Sequence, residues 1–576
     1  MNTFTRNTRA GSLLLSCLLA IGVASCGKDD LDAAAPRVTF DRPDGIYTVK
    51  AGKSITITPV VENDAGAFYT WTTADGQLIG REKTLAHAWE EQGQVYITFR
   101  VHTDHGSAER EIRVDVAPLV PPLISLAIPP GGFVVLQGRG LLLAPVIDND
   151  EGVTLEWKIG ERAVATTREY TFTSDEPGVF HLSLSTVNED GSDFLAFDVE
   201  VKAPAGMPFS WQFERATYNV SVGRAIRLLP RGITNAFDAE YTWSVDGQEK
   251  QRAADPLFLF NATVEGLHTA VVTMKNDYTT ASRALTVNVC PPEGTYKRAV
   301  TASSRVDCNK VHEFLAAPGQ FVNEGYTATT MQQACTHAEG RLSSGAHVSL
   351  GGFGGYIILG FDHSIENDGG YNFQVLGNSF TGSSEPGIVY VMQDENGDGL
   401  PNDTWYELKG SEHGKPGTLQ DYEITYYRPR ATGMSVTWSD NLGKSGSVDY
   451  LAAYHRQEYY YPAWVADNSY TLRGTRLASR TREVTPGYWS NDDFGWGYAD
   501  NFSATDRLTD NDNHDAGTNA NHFKISDAIT FDGKPASLQY IDFIKVQTGV
   551  NAKAGWLGEN STEVFGAKDY NLIKNK

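Results

Sequence analysis

The sequence predicts an all-β protein, with three small β-sandwiches in tandem followed by a larger β-sandwich at the C-terminal end. Three observations lead there. Tryptophan recurs at equal spacing, at Trp71, Trp157 and Trp243. Around each one, apolar and polar residues alternate with period two, the pattern of half-buried strands. The composition favours strands and turns, with 56 Gly, 26 Tyr, 26 Phe and 11 Trp among 576 residues. A chain this long exceeds a single hydrophobic core, so several domains are expected. The net charge of −23 repels phosphate backbones and argues against nucleic acid as a partner, while it suits solubility and cation binding.

Residues 1–25 read as a signal peptide. Arg6 and Arg9 form a basic start, and residues 12–23 are apolar but too short to span a bilayer in the mature chain. The stretch ends in Val23-Ala24-Ser25-Cys26, which resembles a lipobox. Cleavage there would leave Cys26 for lipidation, and several acyl chains make a durable anchor. An ordinary secretory signal close to a cysteine is the other reading. Cys26-Gly27-Lys28-Asp29-Asp30 resembles the lipoprotein export signal of Bacteroidetes. That resemblance implies an outer-membrane, outward-facing lipoprotein, with residues 26–35 as its lipidated linker. No later apolar run reaches membrane-spanning length. Once Cys17 leaves with the signal, Cys290, Cys308 and Cys335 remain beyond the anchor. In an oxidising compartment they permit one disulfide. Cys308–Cys335 is the preferred pair, and Cys290–Cys308 stays open.

Three repeats are expected over residues 36–117, 118–203 and 204–290. Each has a strand before its tryptophan (Ser54 to Thr58, Leu141 to Pro145, Ile226 to Pro230), and a glycine (Gly93, Gly178, Gly266) opens the next long strand. A polar turn and a last strand close each unit, the final strands ending near Val116, Val201 and Val289. The tryptophan is expected to fill the space between two sheets, where a large ring buries most area. The pattern resembles PKD-type immunoglobulin-like domains, although only the tryptophan of that family's core motif is matched. Prolines at the joints (Pro118, Pro121, Pro122, Pro204, Pro208, Pro291, Pro292) suit a stiff rod of spacers.

From residue 291 to 576 the repeat stops. A short helix is expected near residues 331–338, and strands at 347–350, 356–361, 371–376, 388–392, 405–408, 422–427 and 540–547. The run from Ser349 through Gly351-Gly352-Phe353-Gly354-Gly355-Tyr356 to Asp362, with Ile541 to Thr548, resembles the opening and closing strands of a jelly-roll-like sandwich of bacterial surface proteins. Gly351 to Gly355 lacks the Lys-Ser/Thr ending and helix of a phosphate loop. Asp394-Glu395-Asn396-Gly397-Asp398-Gly399 places oxygen ligands at alternating positions before a glycine turn. Asp394, Asn396 and Asp398, the Leu400 carbonyl, Asp403 and Glu407 form a candidate calcium shell with a structural role, and a polar hairpin turn is the plainer alternative. The acidic run from Asp506 to Asp515, including Asp510 and Asp512, reads as a solvated loop.

Aromatic residues crowd the segment from residue 455 to residue 498. His455, Tyr459, Tyr460, Tyr461, Trp464, Tyr488, Trp489, Phe494, Trp496 and Tyr498 are interleaved with polar residues. Consecutive tyrosines on a strand cannot share one face, so some are expected to line a ligand site, and a second core layer is the alternative. The export signal, the PKD-like repeats and the two C-terminal segments together resemble BtuH-type surface lipoproteins. That resemblance implies capture of cobalamin or another cobamide for an outer-membrane TonB-dependent transporter. His455 could in principle reach the cobalt as an axial ligand, and a surface histidine is the preferred reading. A glycan-binding surface lipoprotein is the second reading, and a glycan hydrolase or an adhesin follow. No Gly-x-Ser-x-Gly or His-Glu-x-x-His motif, and no selected carboxylate pair, marks an enzyme.

Overall fold

Alternation of buried and exposed residues along the strands builds the same sandwich three times. The computed structural model describes residues 34–508 and 519–574. The signal peptide, Cys26, Asp510, Asp512 and Asp515 lie outside the described residues. In the first repeat a five-stranded sheet runs in the order Ile46–Lys50, Gly106–Ala117, Gly93–Thr103, Phe68–Thr73, Leu78–Gly80. Its edge strand Ile46–Lys50 pairs in parallel with the last strand, and Ser54–Ile57 pairs with Leu85–Ala88 across the core. The second and third repeats reproduce this order and the parallel edge pair.

The tryptophans explain why. Trp71, Trp157 and Trp243 are fully buried, and each indole N–H donates to a main-chain carbonyl, of Glu82 (3.0 Å), Thr167 (2.9 Å) and Pro256 (2.9 Å). Directly after each tryptophan the pairing slips by one residue, a bulge that bends the strand. Burying such a ring is worth about 4–6 kcal/mol of transfer free energy. A second recurring device is an asparagine in the left-handed region, at Asn63, Asn149 and Asn235 (φ 59°, 59° and 57°). Their side-chain amides donate to Ala35, Pro121 and Pro208 carbonyls and pin the entry to each repeat.

The first repeat, within residues 1–120, is one compact unit, and residues 121–576 form another. In the second unit the proline joints do not produce free-standing spacers. Asp148 of the second repeat accepts from Ser435 N–H (2.9 Å) and Oγ (2.5 Å), and Asp193 pairs with Arg430. Arg231 of the third repeat bridges Asp421 (3.1 Å) and Glu423 (3.4 Å), and Arg227 also pairs with Asp421. Arg224 meets Glu293 at 2.7 Å. Arg224, Arg227 and Arg231, on and beside the strand expected at 226–230, form a docking face.

The C-terminal domain is built on a six-stranded antiparallel sheet in the order Lys310–Leu315, Tyr356–Glu366, Tyr540–Thr548, Gly387–Met392, Trp405–Leu408, Ala528–Ile529. A three-stranded sheet of Asn519–Phe523, Phe373–Gly377 and Gly566–Asp569 shares its core through Phe373, Val375, Phe523, Val389 and Ile544, making a sandwich. A four-stranded sheet of Ser445–Val448, Val436–Asp440, Leu419–Tyr427 and Ser469–Arg476 has its own core of tyrosines and aliphatics. The helix Met331–Ser343 is longer than expected. Thr330 caps it, accepting from Gln333 N–H, and it buries Ala334, Cys335 and Ala338. No described helix is long and apolar enough to cross a membrane.

The expected disulfide is absent: Cys290, Cys308 and Cys335 are all free thiols. Cys335 faces inward from the helix, whereas Cys308 accepts from Ala567 N–H (3.4 Å) beside the edge strand. Cys290 turns its thiol to the Asn288 carbonyl (3.6 Å). Burial raises all three thiols, Cys308 to about 11 and Cys290 to about 12, which leaves them unreactive.

Candidate functional site

The chain from Asp394 to Asp403 curls around its own acidic side chains. Asp394 accepts from Gly397 N–H (2.8 Å) and Gly399 N–H (3.0 Å), Asn396 Oδ1 from Asp398 N–H (2.9 Å), and Asp398 Oδ1 from Leu400 N–H (2.8 Å). Gly397 is required, since its φ is 76° and a Cβ there would lie 2.5 Å from the Tyr296 ring. Asp403 is buried, with Oδ2 accepting from Glu395 N–H (3.1 Å) and Oδ1 lacking a partner. Burial and the charge of Glu395 push Asp403 up to about 8, and burial, against the lowering charge of Arg224, pushes Glu395 up to about 7. Oxygen donors at alternating positions with an orphaned buried carboxylate oxygen fit a hard divalent cation. Glu407 stands apart. Its carboxylate takes the Thr475 hydroxyl (2.5 Å) and burial raises it to about 7. The Leu400 carbonyl accepts from Asn402 N–H (2.9 Å).

This loop also meets the third repeat. Arg215 donates to the Asp403 carbonyl (3.1 Å), Asn219 to Asn402 Oδ1 (3.2 Å), and Thr404 Oγ1 to the Asn219 carbonyl (2.9 Å).

Half of the aromatic residues expected at a ligand site are core instead. Tyr460, Tyr461, Trp464, Phe494 and Tyr498 are buried. Trp464 donates its indole N–H to the Phe314 carbonyl (3.0 Å), the Tyr461 hydroxyl donates to the Asp467 carbonyl (2.8 Å), and the Tyr498 hydroxyl accepts from Glu412 N–H (2.9 Å). Residues 455–465 run as bends, not as strand, so strand alternation does not apply and both Tyr460 and Tyr461 turn inward. Tyr459 is half-buried, its carbonyl held by Asn323 (2.9 Å), and Trp496 is half-buried with its carbonyl on Ser411 N–H (2.9 Å). Asp506, expected in a solvated loop, is buried and accepts from Gly497 N–H (2.7 Å) and Asn521 (3.1 Å).

What the fold does expose is an aromatic surface assembled from four loops. Tyr454 (58% exposed) and Trp556 (47%) lie with ring centroids 5.5 Å apart, and Tyr488 (64%) is exposed on a neighbouring hairpin. Trp556 donates to the Gly487 carbonyl (2.7 Å) at the tip of the Tyr488 hairpin. Gly555, with φ 57°, leaves room for Trp489, whose Nε1 lies 2.4 Å from where a Cβ would stand. Exposed Leu557 follows, and its carbonyl is held by the Gln320 side chain. Phe321 packs edge-on against His455 (4.8 Å), which hydrogen-bonds Glu324 (3.0 Å). His455, Tyr488 and Trp489 from the expected set are thus brought together with Phe321, Tyr454 and Trp556, which the sequence reading missed. The signal was Gly555-Trp556-Leu557-Gly558, a bulky pair between turn-forming glycines. Below the surface, Glu559 accepts from Gln320 N–H (2.8 Å) and burial pushes its carboxyl up to about 7.

An exposed aromatic pair with further aromatic residues on the adjoining loops can stack against a flat ligand face, with surrounding amides and carboxylates orienting it. Among known proteins, residues 35–103 and 121–188 match the family described as PKD-like domain. No curated protein matches. Solved structures similar to the chain include three titin immunoglobulin domains, I67–I69 (15% identity, TM-score 0.21, covering 45% of this chain and 99% of that one). Others are fibronectin(III)-like modules of Clostridium thermocellum CbhA (18%, 0.18, 29% and 95%) and three N-terminal domains of the outer capsid protein Hoc of bacteriophage RB49 (16%, 0.21, 45% and 98%). The fold assignment rests on strand order and on the family match. Tandem PKD-like repeats of this build are consistent with a surface adhesion or binding protein.

Proposed function

We propose that this chain is a non-catalytic surface capture protein. A lipid on Cys26 holds it at the outer membrane, facing outward, and the C-terminal domain takes a cobamide and passes it to an outer-membrane TonB-dependent transporter. The observation that carries the reading is the exposed Tyr454–Trp556 pair, bonded through Trp556 to the hairpin that bears Tyr488 and Trp489. A corrin offers broad apolar faces with an amide fringe, which suits aromatic rings bordered by polar groups. In the same reading Asp394, Asn396, Asp398, the Leu400 carbonyl and Asp403 hold a structural calcium ion, to which Glu407 does not contribute. The unpartnered Asp403 Oδ1 supports this.

Calorimetric titration of the purified protein with cyanocobalamin tests the ligand. Saturable heat at micromolar concentration supports it, and no heat refutes it. Glycans also stack on aromatic rings, so a glycan-array signal that is lost in Trp556→Ala would replace the cobamide with a sugar.

A further inference from the structure

Three acidic side chains meet inside the C-terminal sandwich, with Glu385 at the opposite end of the strand Gly387–Met392 from the Asp394 loop. Glu385 precedes the strand Gly387–Met392, Asp500 lies just after Ala499, which bridges to Gly387, and Glu563 sits on the short strand Glu563–Val564. One carboxylate oxygen of each lies within 4.8 Å of the others. Local structure drives them together. Asp500 adopts φ 51°. A Cβ on Gly377 would stand 2.6 Å from Asp500 Oδ1, so only glycine lets that carboxylate in. Asp500 then accepts from Asn378 N–H (2.9 Å) and Glu563 N–H (2.9 Å), while Glu385 N–H donates to the Asp500 carbonyl (3.0 Å).

Asp500 is 1% and Glu563 5% exposed. Glu563 Oε1 has no hydrogen-bond donor, although it is buried and its carboxylate faces the other two. Glu385 feels the negative charges of Asp500 and Glu559, and Glu563 those of Glu385 and Asp500. Among the described residues no lysine, arginine or histidine pairs with any of them. Two buried carboxylates with a half-buried third, Glu385, against them are costly without a positive partner, so the site takes up either protons or a cation. The donor set is oxygen only, which selects hard cations. With all three donor oxygens within 4.8 Å of one another, a single ion can reach them, and calcium, which accepts carboxylates at roughly 2.4 Å in flexible geometry, suits such a set.

We propose that Glu385, Asp500 and Glu563 form a second divalent-cation site of calcium type, separate from the Asp394 loop. Its place in the fold gives it a role. Ser384 N–H donates to the Asn491 carbonyl (3.0 Å), which ties the Glu385 loop to the hairpin carrying Tyr488 and Trp489. A cation joining the three chain segments braces that hairpin. The proposal does not depend on the Asp394 loop holding calcium, nor on the ligand being a cobamide.

The test uses the full chain, stripped with chelator and retitrated with calcium chloride in a calorimeter, with bound metal counted by mass spectrometry. The double variant Asp394→Asn/Asp398→Asn is expected to retain one equivalent of calcium. Calcium is expected to raise its melting temperature by on the order of 5 °C. Adding Glu563→Gln should remove that last equivalent and the shift. A double variant that binds no calcium and melts identically with and without it would overturn the proposal and leave a shared proton as the explanation. So would an equivalent that persists after Glu563→Gln. Because the decisive comparison uses the double variant with the triad intact, misfolding of the Glu563 variant does not blunt it.

Discussion

Each repeat places one tryptophan at the same depth, bonds its indole to a carbonyl and follows it with a bulge, whereas the C-terminal domain scatters its aromatic residues between core and surface with no period. Trp71, Trp157 and Trp243 are interchangeable in role. Trp464 and Trp556 are not, since one is sealed under the Phe314 carbonyl and the other stands at a loop tip. Short-range contacts can repeat a design, because each repeat closes on strands near in sequence. The C-terminal domain closes on distant ones, pairing Tyr356–Glu366 with Tyr540–Thr548. There, whether an aromatic residue lies inside or outside is decided by chain segments hundreds of residues away.

The largest effect that tests this contrast is Trp71→Ala. It should cost the first repeat about 4 kcal/mol and leave the calorimetric transition of residues 121–576 in place. A shift of both transitions would show that the first repeat is not an independent unit.

Next is the docking face. Arg231→Ala takes one of two arginines from each of Asp421 and Glu423, which keep Arg227 and Arg473, and the loss of its buried charge-assisted hydrogen bonds should destabilise the larger unit by about 3 kcal/mol in denaturant melts. Losses well below 1 kcal/mol would return the third repeat to the role of a loosely attached spacer.

Smaller again is the effect of buried Glu559. Its folded carboxyl titrates at about 7 against an ordinary 4.5. Between those values the folded chain keeps a proton that the unfolded chain has released. Stability therefore falls as pH rises through the window, and the loss is complete above it. Glu559→Gln cannot ionise, so it should match the parent near pH 4 and exceed it by about 2 kcal/mol near pH 8. Equal stability at both pH values would show that the carboxyl is not held neutral.

The repeats were legible because alternation, the spaced tryptophans and Gly93, Gly178 and Gly266 all pointed the same way; the three glycines adopt φ 146°, 155° and 119°. The left-handed Asn63, Asn149 and Asn235 were equally periodic but carry little signal in composition. In the C-terminal domain the long apolar strands were legible, and the polar edge strands Ser469–Arg476 and Thr481–Thr485 were not, since few of their residues are buried. The candidate site was half legible. Density of aromatic residues in sequence found Tyr488, Trp489 and His455 but equally found Tyr460 and Tyr461, because bends erase the face-to-face rule that strands obey. Phe321, Tyr454 and Trp556 were invisible as a group, being joined only by folding.

The central claim is that the loop-borne aromatic surface, and not the buried aromatic residues, takes the ligand. Its most direct measurement is cyanocobalamin affinity and melting temperature of Trp556→Ala beside the parent protein. The account predicts at least a tenfold weaker Kd, about 1.4 kcal/mol, with the melting temperature unchanged within about 2 °C. Unchanged affinity in that variant would contradict it.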